Sequence, residues 1–138
     1  MTTPSDDVPA LVLEDVCRIH QDGPTTITAL DHVNLTVMPG ELVAVMGPSG
    51  SGKTTLLNIA GTLDAPTSGR VFIAGNDSGY LPPTARATIR RTHVGFVFQD
   101  FNLIPTLTVL ENVSLPLELG KMPTKEARAQ GRAALEDI

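Results

Sequence analysis

The segment with the clearest chemistry is residues 47–55, which read Gly-Pro-Ser-Gly-Ser-Gly-Lys-Thr-Thr. It matches the pattern G-x-x-x-x-G-K-[ST] and lies between an apolar run and an apolar helix candidate, the context that this pattern requires. Glycines let backbone N–H groups approach phosphate oxygens closely, and the start of a helix adds partial positive charge. A chain of this length matches the pattern by chance about once in two hundred, so a surface loop that merely contains a lysine is the weaker interpretation. We call residues 47–55 the phosphate loop.

Side chains at the end of the phosphate loop have distinct predicted roles. Lys53 supplies a point charge for the β- and γ-phosphates of a nucleotide. The Thr54 hydroxyl is a candidate ligand for Mg²⁺, and Thr55 can donate a hydrogen bond to a phosphate oxygen. The other predicted contacts come from the loop itself, at Gly47, Ser49, Gly50, Ser51 and Gly52.

Composition limits the class of protein. The 138 residues fit one domain, and 41% apolar against 18% charged residues is enough for a packed core. Ten Lys and Arg against fifteen Asp and Glu give a net charge of −5, which argues against a nucleic-acid-binding surface. Cys17 is the single cysteine, which excludes an intrachain disulfide and fits a reducing compartment. The polar N-terminus is unlike a secretory signal, and the longest uncharged runs are about half the length of a membrane helix. We therefore expect a soluble, cytoplasmic protein.

The elements that position these groups are predicted from the apolar pattern. We expect residues 1–10 to be a disordered lead-in and residues 11–138 to form part of one domain. Strands are predicted at 11–19, 27–37, 42–46, 70–74 and 94–98. Helices are predicted at 53–62, 82–91, 108–119 and 124–138, the last with Thr124 as its N-cap, and turns at 21–26, 38–41, 64–69 and 75–79. The continuous apolar runs at 42–46 and 94–98 are typical of strands buried on both faces.

Two longer stretches resemble a known family. GPSGSGKTTLLNIAGTLDAPTSGRVFIAGND and the later VGFVFQDFNLIPTLTVLENVSLPLEL are similar to the ATP-binding subunit of an ABC transporter. Within that family the chain most resembles the bacterial group that serves lipoprotein release, macrolide or antimicrobial-peptide export, and cell division. The resemblance covers about residues 11–138 and implies an α/β fold. This fold is a P-loop NTPase (ABC ATPase) core with an N-terminal antiparallel β segment and the start of a helical subdomain, here the N-terminal portion of an incomplete nucleotide-binding domain.

The resemblance assigns roles to two residues outside the phosphate loop. Gln99 matches the family's Q-loop glutamine, whose amide reaches the metal and the attacking water, so that Gln99 and Lys53 are the predicted catalytic residues. His20 aligns with the aromatic residue that stacks on adenine, which is normally a tyrosine. Imidazole offers less stacking area than a phenol ring, and an exposed histidine at a strand end is the alternative. The implied ligands are ATP and Mg²⁺, with Thr54 and Gln99 as metal contacts.

Apolar residues that follow Gln99 allow two interpretations. They resemble the segment that contacts the membrane-spanning permease subunit, and they would then be exposed. Alternatively, they cover the core beneath the helix at 108–119. The residues concerned are Phe101, Leu103, Ile104 and Pro105. The resemblance further implies a homodimer of nucleotide-binding domains, no nucleic-acid partner, and a peripheral position on the inner face of the plasma membrane through the permease.

The remaining histidines and the cysteine match no motif. His32, His93 and Cys17 lack the spacing of a metal-binding sequence, so we interpret them as structural. Arg90 and Arg91 lie at the end of a short predicted helix and are expected on its solvated face.

Several motifs that the family uses for hydrolysis do not occur in residues 1–138. There is no LSGGQ-type signature, no apolar strand that ends in Asp-Glu, and no switch histidine downstream of such a strand. We expect the chain to be part of a longer protein, and to bind ATP without hydrolysing it alone. The strands that the resemblance places between 42–46 and 94–98 are also missing, so we expect unpaired apolar edges and marginal stability.

Three other functions share parts of this pattern. A DNA-repair or chromosome-maintenance ATPase of the same superfamily would show a long coiled coil or a zinc-binding insert, and this chain has one cysteine and a short last helix. A small-molecule kinase would need an Arg-rich lid. A non-catalytic nucleotide-binding module fits the 138 residues as they stand.

Overall fold

The computed structural model describes residues 8–137, which divide into two compact units. The first unit ends at Gly95 and the second begins at Phe96. Residues 1–7 of the predicted lead-in lie outside the described residues. At its end, Ala10 donates a backbone hydrogen bond to the carbonyl of Val37, so the chain is already held to the sheet there.

The first unit contains a four-stranded antiparallel sheet in the order β2-β1-β3-β4. The strands are β1 (Leu11–Asp22), β2 (Thr25–Val37), β3 (Ser68–Ile73) and β4 (Asn76–Asp77). The predicted strands at 11–19, 27–37 and 70–74 are thus confirmed with shifted ends. The turn between β1 and β2 is tighter than the predicted 21–26, and the predicted turn at 75–79 is wrong in part because it contains β4.

Four helices are present in the described residues. The first unit contains α1 (Lys53–Ala60) and α2 (Pro83–His93), and the second contains α3 (Val109–Leu119) and α4 (Thr124–Glu136). All four were predicted, but the assignment of Thr124 as an N-cap is wrong. The N-cap of α4 is Pro123, and Thr124 is its first helical residue.

The core of the first unit is a small apolar cluster between the sheet and α1. Its buried members are Leu13, Val16, Leu30, Ile59 and Val71. Burying each such side chain contributes about 1.5–3 kcal/mol relative to leaving it exposed. Leu56 packs on the same cluster, whereas its neighbour Leu57 is more than half exposed. The packing of Leu56 and Ile59 on this cluster holds α1, and the phosphate loop that leads into it, next to the sheet.

The apolar runs at 42–46 and 94–98 are the clearest departure from prediction. Neither forms a strand, and Leu42 and Met46 are 99% and 87% exposed. An extended segment becomes a strand only when a neighbour pairs with its backbone groups, and no strand within residues 8–137 pairs with either run. The prediction of strands buried on both faces is wrong for the described residues, although unpaired apolar segments were expected.

The second unit is a pair of helices with a well-defined beginning. Thr108 caps α3 by accepting a hydrogen bond from the Glu111 backbone N–H, and the Glu111 carboxylate accepts one from the Thr108 backbone N–H at 2.9 Å. The hydrogen bonds that the Thr108 backbone N–H and hydroxyl donate to the Glu111 carboxylate, with a smaller contribution from Arg128, hold the pKa of Glu111 below its ordinary value. Small residues let α3 and α4 approach closely, since a Cβ on Gly131 would lie 3.3 Å from the Cβ of Ser114.

Two smaller predictions concern the arginines near the end of α2 and the absence of a membrane helix. Arg90 is half-buried and donates a hydrogen bond of 2.9 Å to the carbonyl of Thr62, so its assignment to a solvated face is wrong, whereas Arg91 is exposed as predicted. Within residues 8–137, no helix has the length and apolar character needed to cross a membrane.

Candidate functional site

The phosphate loop and one sheet strand form a cleft of about 410 Å³ in the first unit. One wall comes from the loop and the first turn of α1, and the other comes from β2. The lining residues are Ser49, Gly50, Gly52, Lys53, Thr54 and Thr55 on one side and Ile27, Thr28 and Ala29 on the other. Six of the predicted nucleotide contacts are therefore brought together at a single surface.

The path of the loop depends on glycine at two positions. Gly50 and Gly52 have φ values of 80° and 88°, in the left-handed region that other residues occupy only with strain. Gly52 also touches β2 closely, because a Cβ there would run into the carbonyl oxygen of Ala29. The Gly52 carbonyl accepts the first hydrogen bond of α1, from the Leu56 N–H at 2.8 Å. The loop can therefore turn directly from the sheet into the helix.

Lys53 is held by the loop that precedes it. Its Nζ donates hydrogen bonds to the carbonyl oxygens of Gly47 at 2.9 Å and Pro48 at 2.7 Å. An ammonium group has three donors, so one N–H remains for another acceptor. The side chain is thereby kept beside the cleft that it lines.

The first turn of α1 offers further donors. The first backbone N–H groups of any helix lack partners within the helix. No side chain caps α1, and no acidic residue lies in its first turn. The helix dipole places partial positive charge at this end. The lining therefore combines an ammonium group, hydroxyl groups and backbone N–H donors without a carboxylate, which suits an anion such as a phosphate chain.

The donor set also fits a nucleotide-bound magnesium ion. Mg²⁺ prefers oxygen ligands, and it is commonly held by one or two protein groups together with phosphate oxygens and water. Thr54 is exposed at the cleft, so its hydroxyl can supply one such oxygen. When bound, the ion would neutralise part of the phosphate charge.

Other predicted site residues are not among those that line the cleft. Gly47 and Ser51 belong to the loop but not to the lining, and Gly47 instead accepts a hydrogen bond from Lys53. His20 is half-buried on β1, opposite the lining residue Ile27, and is not itself in the lining. Gln99 is an exposed residue of the second unit. The roles of His20 and Gln99 stay predictions.

Sequence reasoning missed the wall that β2 contributes. Ile27, Thr28 and Ala29 precede the phosphate loop by about twenty residues, and no motif spacing connects them to it. They reach the cleft because α1 packs on the sheet and Gly52 lies against Ala29. The requirement for glycine at position 52 is the one local signal of that contact.

Comparison with a family model identifies the family to which this chain belongs. Residues 30–138 match the family model described as ABC transporter. The chain belongs to the ABC transporter family. This confirms the resemblance drawn from residues 47–77 and 94–119.

Relatives within the family are similar over nearly the whole chain. The lipoprotein-releasing system ATP-binding protein LolD of Bordetella pertussis is 42% identical over 136 residues, which are 99% of this chain and 59% of LolD. The macrolide export ATP-binding/permease protein MacB of Sodalis glossinidius is 42% identical over 130 residues, which are 94% of this chain and 20% of MacB. The chain thus spans a little over half the length of LolD and a fifth of MacB.

Solved structures of the family confirm the predicted fold class. The ATP-binding cassette MJ0796, in a dimeric post-hydrolysis state bound to ADP and Pi, superposes with a TM-score of 0.82 at 46% identity. The match covers 91% of this chain and 56% of the cassette. The α/β fold of an ABC ATPase is therefore present here in part, as an antiparallel sheet with helices.

Proposed function

We propose that this chain binds Mg-ATP in the cleft and belongs to an ATPase subunit that powers lipoprotein release or macrolide export. The observation that carries the proposal is the anion-binding wall made by the phosphate loop, with Lys53 fixed beside the first turn of α1. Family membership supports ATP as the ligand, and the names of LolD and MacB support the two transport functions.

Each lining group has a role in this proposal. Lys53 binds the β- and γ-phosphates, Thr55 donates to a phosphate oxygen, and Thr54 supplies one oxygen to the magnesium ion. Ile27, about half exposed, offers an apolar surface to the base or the sugar from β2. His20, on β1 directly opposite Ile27, is the proposed neighbour of the adenine ring.

Further contacts are proposed for the second unit. Gln99 would contact the metal and the water that attacks the γ-phosphate. Phe101 is 93% exposed, and Leu103 and Ile104 are also exposed, which favours the permease-contact interpretation over the core-covering one. We propose that the protein associates with a permease at the cytoplasmic face of the membrane. The dimeric state of MJ0796 supports a dimer of nucleotide-binding domains.

Nucleotide titration of single-lysine variants tests the site. Lys53→Ala removes a charge-assisted contact, which contributes about 1.5–3 kcal/mol and corresponds to a loss of ATP affinity of about 10- to 150-fold. Lys125→Ala is the matched control, because Lys125 is an exposed lysine of α4 in the second unit. Affinities are measured by calorimetry at one fixed salt concentration with excess Mg²⁺. Equal ATP affinity in the two variants would refute the assignment of Lys53.

A further inference from the structure

A second cluster of ligand-bearing side chains lies on the β1–β2 hairpin. Cys17, Asp31 and His32 each place one ligand atom within 4.8 Å of those of the other two. None of the three lines the nucleotide cleft. We propose that these residues bind a divalent transition metal ion such as Zn²⁺, with Asp15 positioning the histidine ligand.

An irregularity in strand pairing brings the three residues together. In the register of β1 and β2, Val16 pairs with Val33 and Arg18 pairs with Leu30, so that Cys17 alone faces both Asp31 and His32. Such a bulge re-aims side chains that would otherwise alternate between the two faces of a sheet. His32 has a φ of 49°, in the left-handed region. This conformation lets two consecutive residues of β2 converge on the cysteine.

The orientation of the imidazole suits a metal ligand. His32 Nδ1 lies 2.7 Å from Asp15 Oδ1, and His32 Nε2 lies 3.8 Å from Asp31 Oδ1. A carboxylate that holds one ring nitrogen while the other faces the metal is the usual arrangement around metal-bound histidine. Asn34 supports the geometry, because its side chain accepts from the Asp15 N–H and donates to the His32 carbonyl. Nε2 is therefore the nitrogen available for coordination.

The donor atoms select the class of metal. A thiolate, an imidazole and a carboxylate suit zinc and similar transition metals, whereas Mg²⁺ and Ca²⁺ prefer oxygen ligands alone. Bonds of about 2.0–2.3 Å hold the ligand atoms of a tetrahedral site about 3.3–3.8 Å apart, so the cluster must contract by about 1 Å. Asp31 and His32 can make this movement because their side chains are largely exposed, whereas Cys17 is buried and fixed. Three protein ligands leave the fourth position for water.

Binding of Co²⁺ and Zn²⁺ to the untagged 138-residue chain, without nucleotide, tests the proposal. Co²⁺ bound to a thiolate gives a sulfur-to-metal charge-transfer absorption, which reports the cysteine directly. Zn²⁺ affinity is then measured by competition against a chromophoric chelator. We expect one equivalent of metal, a charge-transfer band, and displacement of Co²⁺ by Zn²⁺.

Variants of the exposed ligands decide the outcome, since replacement of the buried Cys17 would also disturb the core. Loss of a group that only supports a ligand lowers metal affinity by about 10- to 100-fold, so His32→Ala and Asp31→Asn should each lower Zn²⁺ affinity by at least about tenfold. His93→Ala, which changes an exposed histidine of α2, should leave it unchanged. Absence of the charge-transfer band, or equal Zn²⁺ affinity in His32→Ala and the unchanged chain, would overturn the proposal.

Discussion

Replacement of Gly52 by alanine tests how the phosphate loop is attached to the sheet. Two separate costs are expected. The φ of 88° is left-handed, which costs a residue with a side chain about 1–2 kcal/mol. In addition, the new Cβ would run into the carbonyl oxygen of Ala29 and lie 3.3 Å from Leu30 Cδ2. A backbone oxygen within a sheet cannot turn away as a flexible side chain could, so the loop or the strand must shift.

The size of the second cost can be bounded. Inserting an extra carbon into a packed site costs about 1–3 kcal/mol. The two costs together predict that Gly52→Ala lowers the free energy of unfolding by about 2–5 kcal/mol. Gly50→Ala is the matched control, since Gly50 has a similar φ of 80° and a Cβ there would meet nothing within 4 Å. It should lower the free energy of unfolding by about 1–2 kcal/mol, the cost of the left-handed conformation alone.

Urea unfolding, followed by circular dichroism at one protein concentration, measures both variants. ATP titration by calorimetry on the same samples separates stability from binding. Because Gly52 lies between Ala29 and the first turn of α1, its replacement should weaken ATP binding more than replacement of Gly50 does. Equal destabilisation by the two substitutions would refute the view that close contact with β2, beyond backbone conformation, fixes the loop.

Three further predictions concern the second unit and turnover. Thr108→Ala should destabilise the second unit by about 1 kcal/mol, measured by urea unfolding. Because the pKa of Glu111 is lowered in the folded state, its carboxylate contributes fully to the free energy of unfolding above the ordinary glutamate pKa, and this contribution is lost as the pH falls through the lower folded-state pKa. The effect of Thr108→Ala on the free energy of unfolding should therefore shrink at acidic pH. Gln99→Ala should change ATP affinity in calorimetry far less than Lys53→Ala does, because its proposed contacts are metal and water. The 138-residue chain should release no phosphate above a Lys53→Ala control in a phosphate-release assay, since residues 1–138 contain neither the signature nor the Asp-Glu strand.

The phosphate loop was predictable because its chemistry is local. Nine consecutive residues specify the turn, the lysine and the start of α1, and the structure places most of them at one cleft. The capping box at the start of α3 was missed, although Thr108 and Glu111 are three residues apart, the local spacing that such a cap uses. Local spacing suffices where the partners of a group lie within one turn of chain.

Apolar character alone predicted full burial, which the structure does not show. The run at 42–46 has the composition of a strand enclosed on both faces, yet Leu42 is 99% exposed. Composition reports what environment a segment suits, whereas burial depends on neighbours that pair with it. The described residues hold no such neighbour, so a pattern that is correct about preference was wrong about structure.

The contacts between β1 and β2 could not be predicted from the spacing of residues in the sequence. Cys17 and His32 are fifteen residues apart, and they meet because a bulge alters the register by one residue. A shift of one residue reverses which face a side chain points to, so the alternation pattern could not show the cluster. The same strand, β2, also supplies Ile27, Thr28 and Ala29 to the nucleotide cleft. Local opening of β2 would therefore remove contacts from the nucleotide cleft and from the proposed metal site alike.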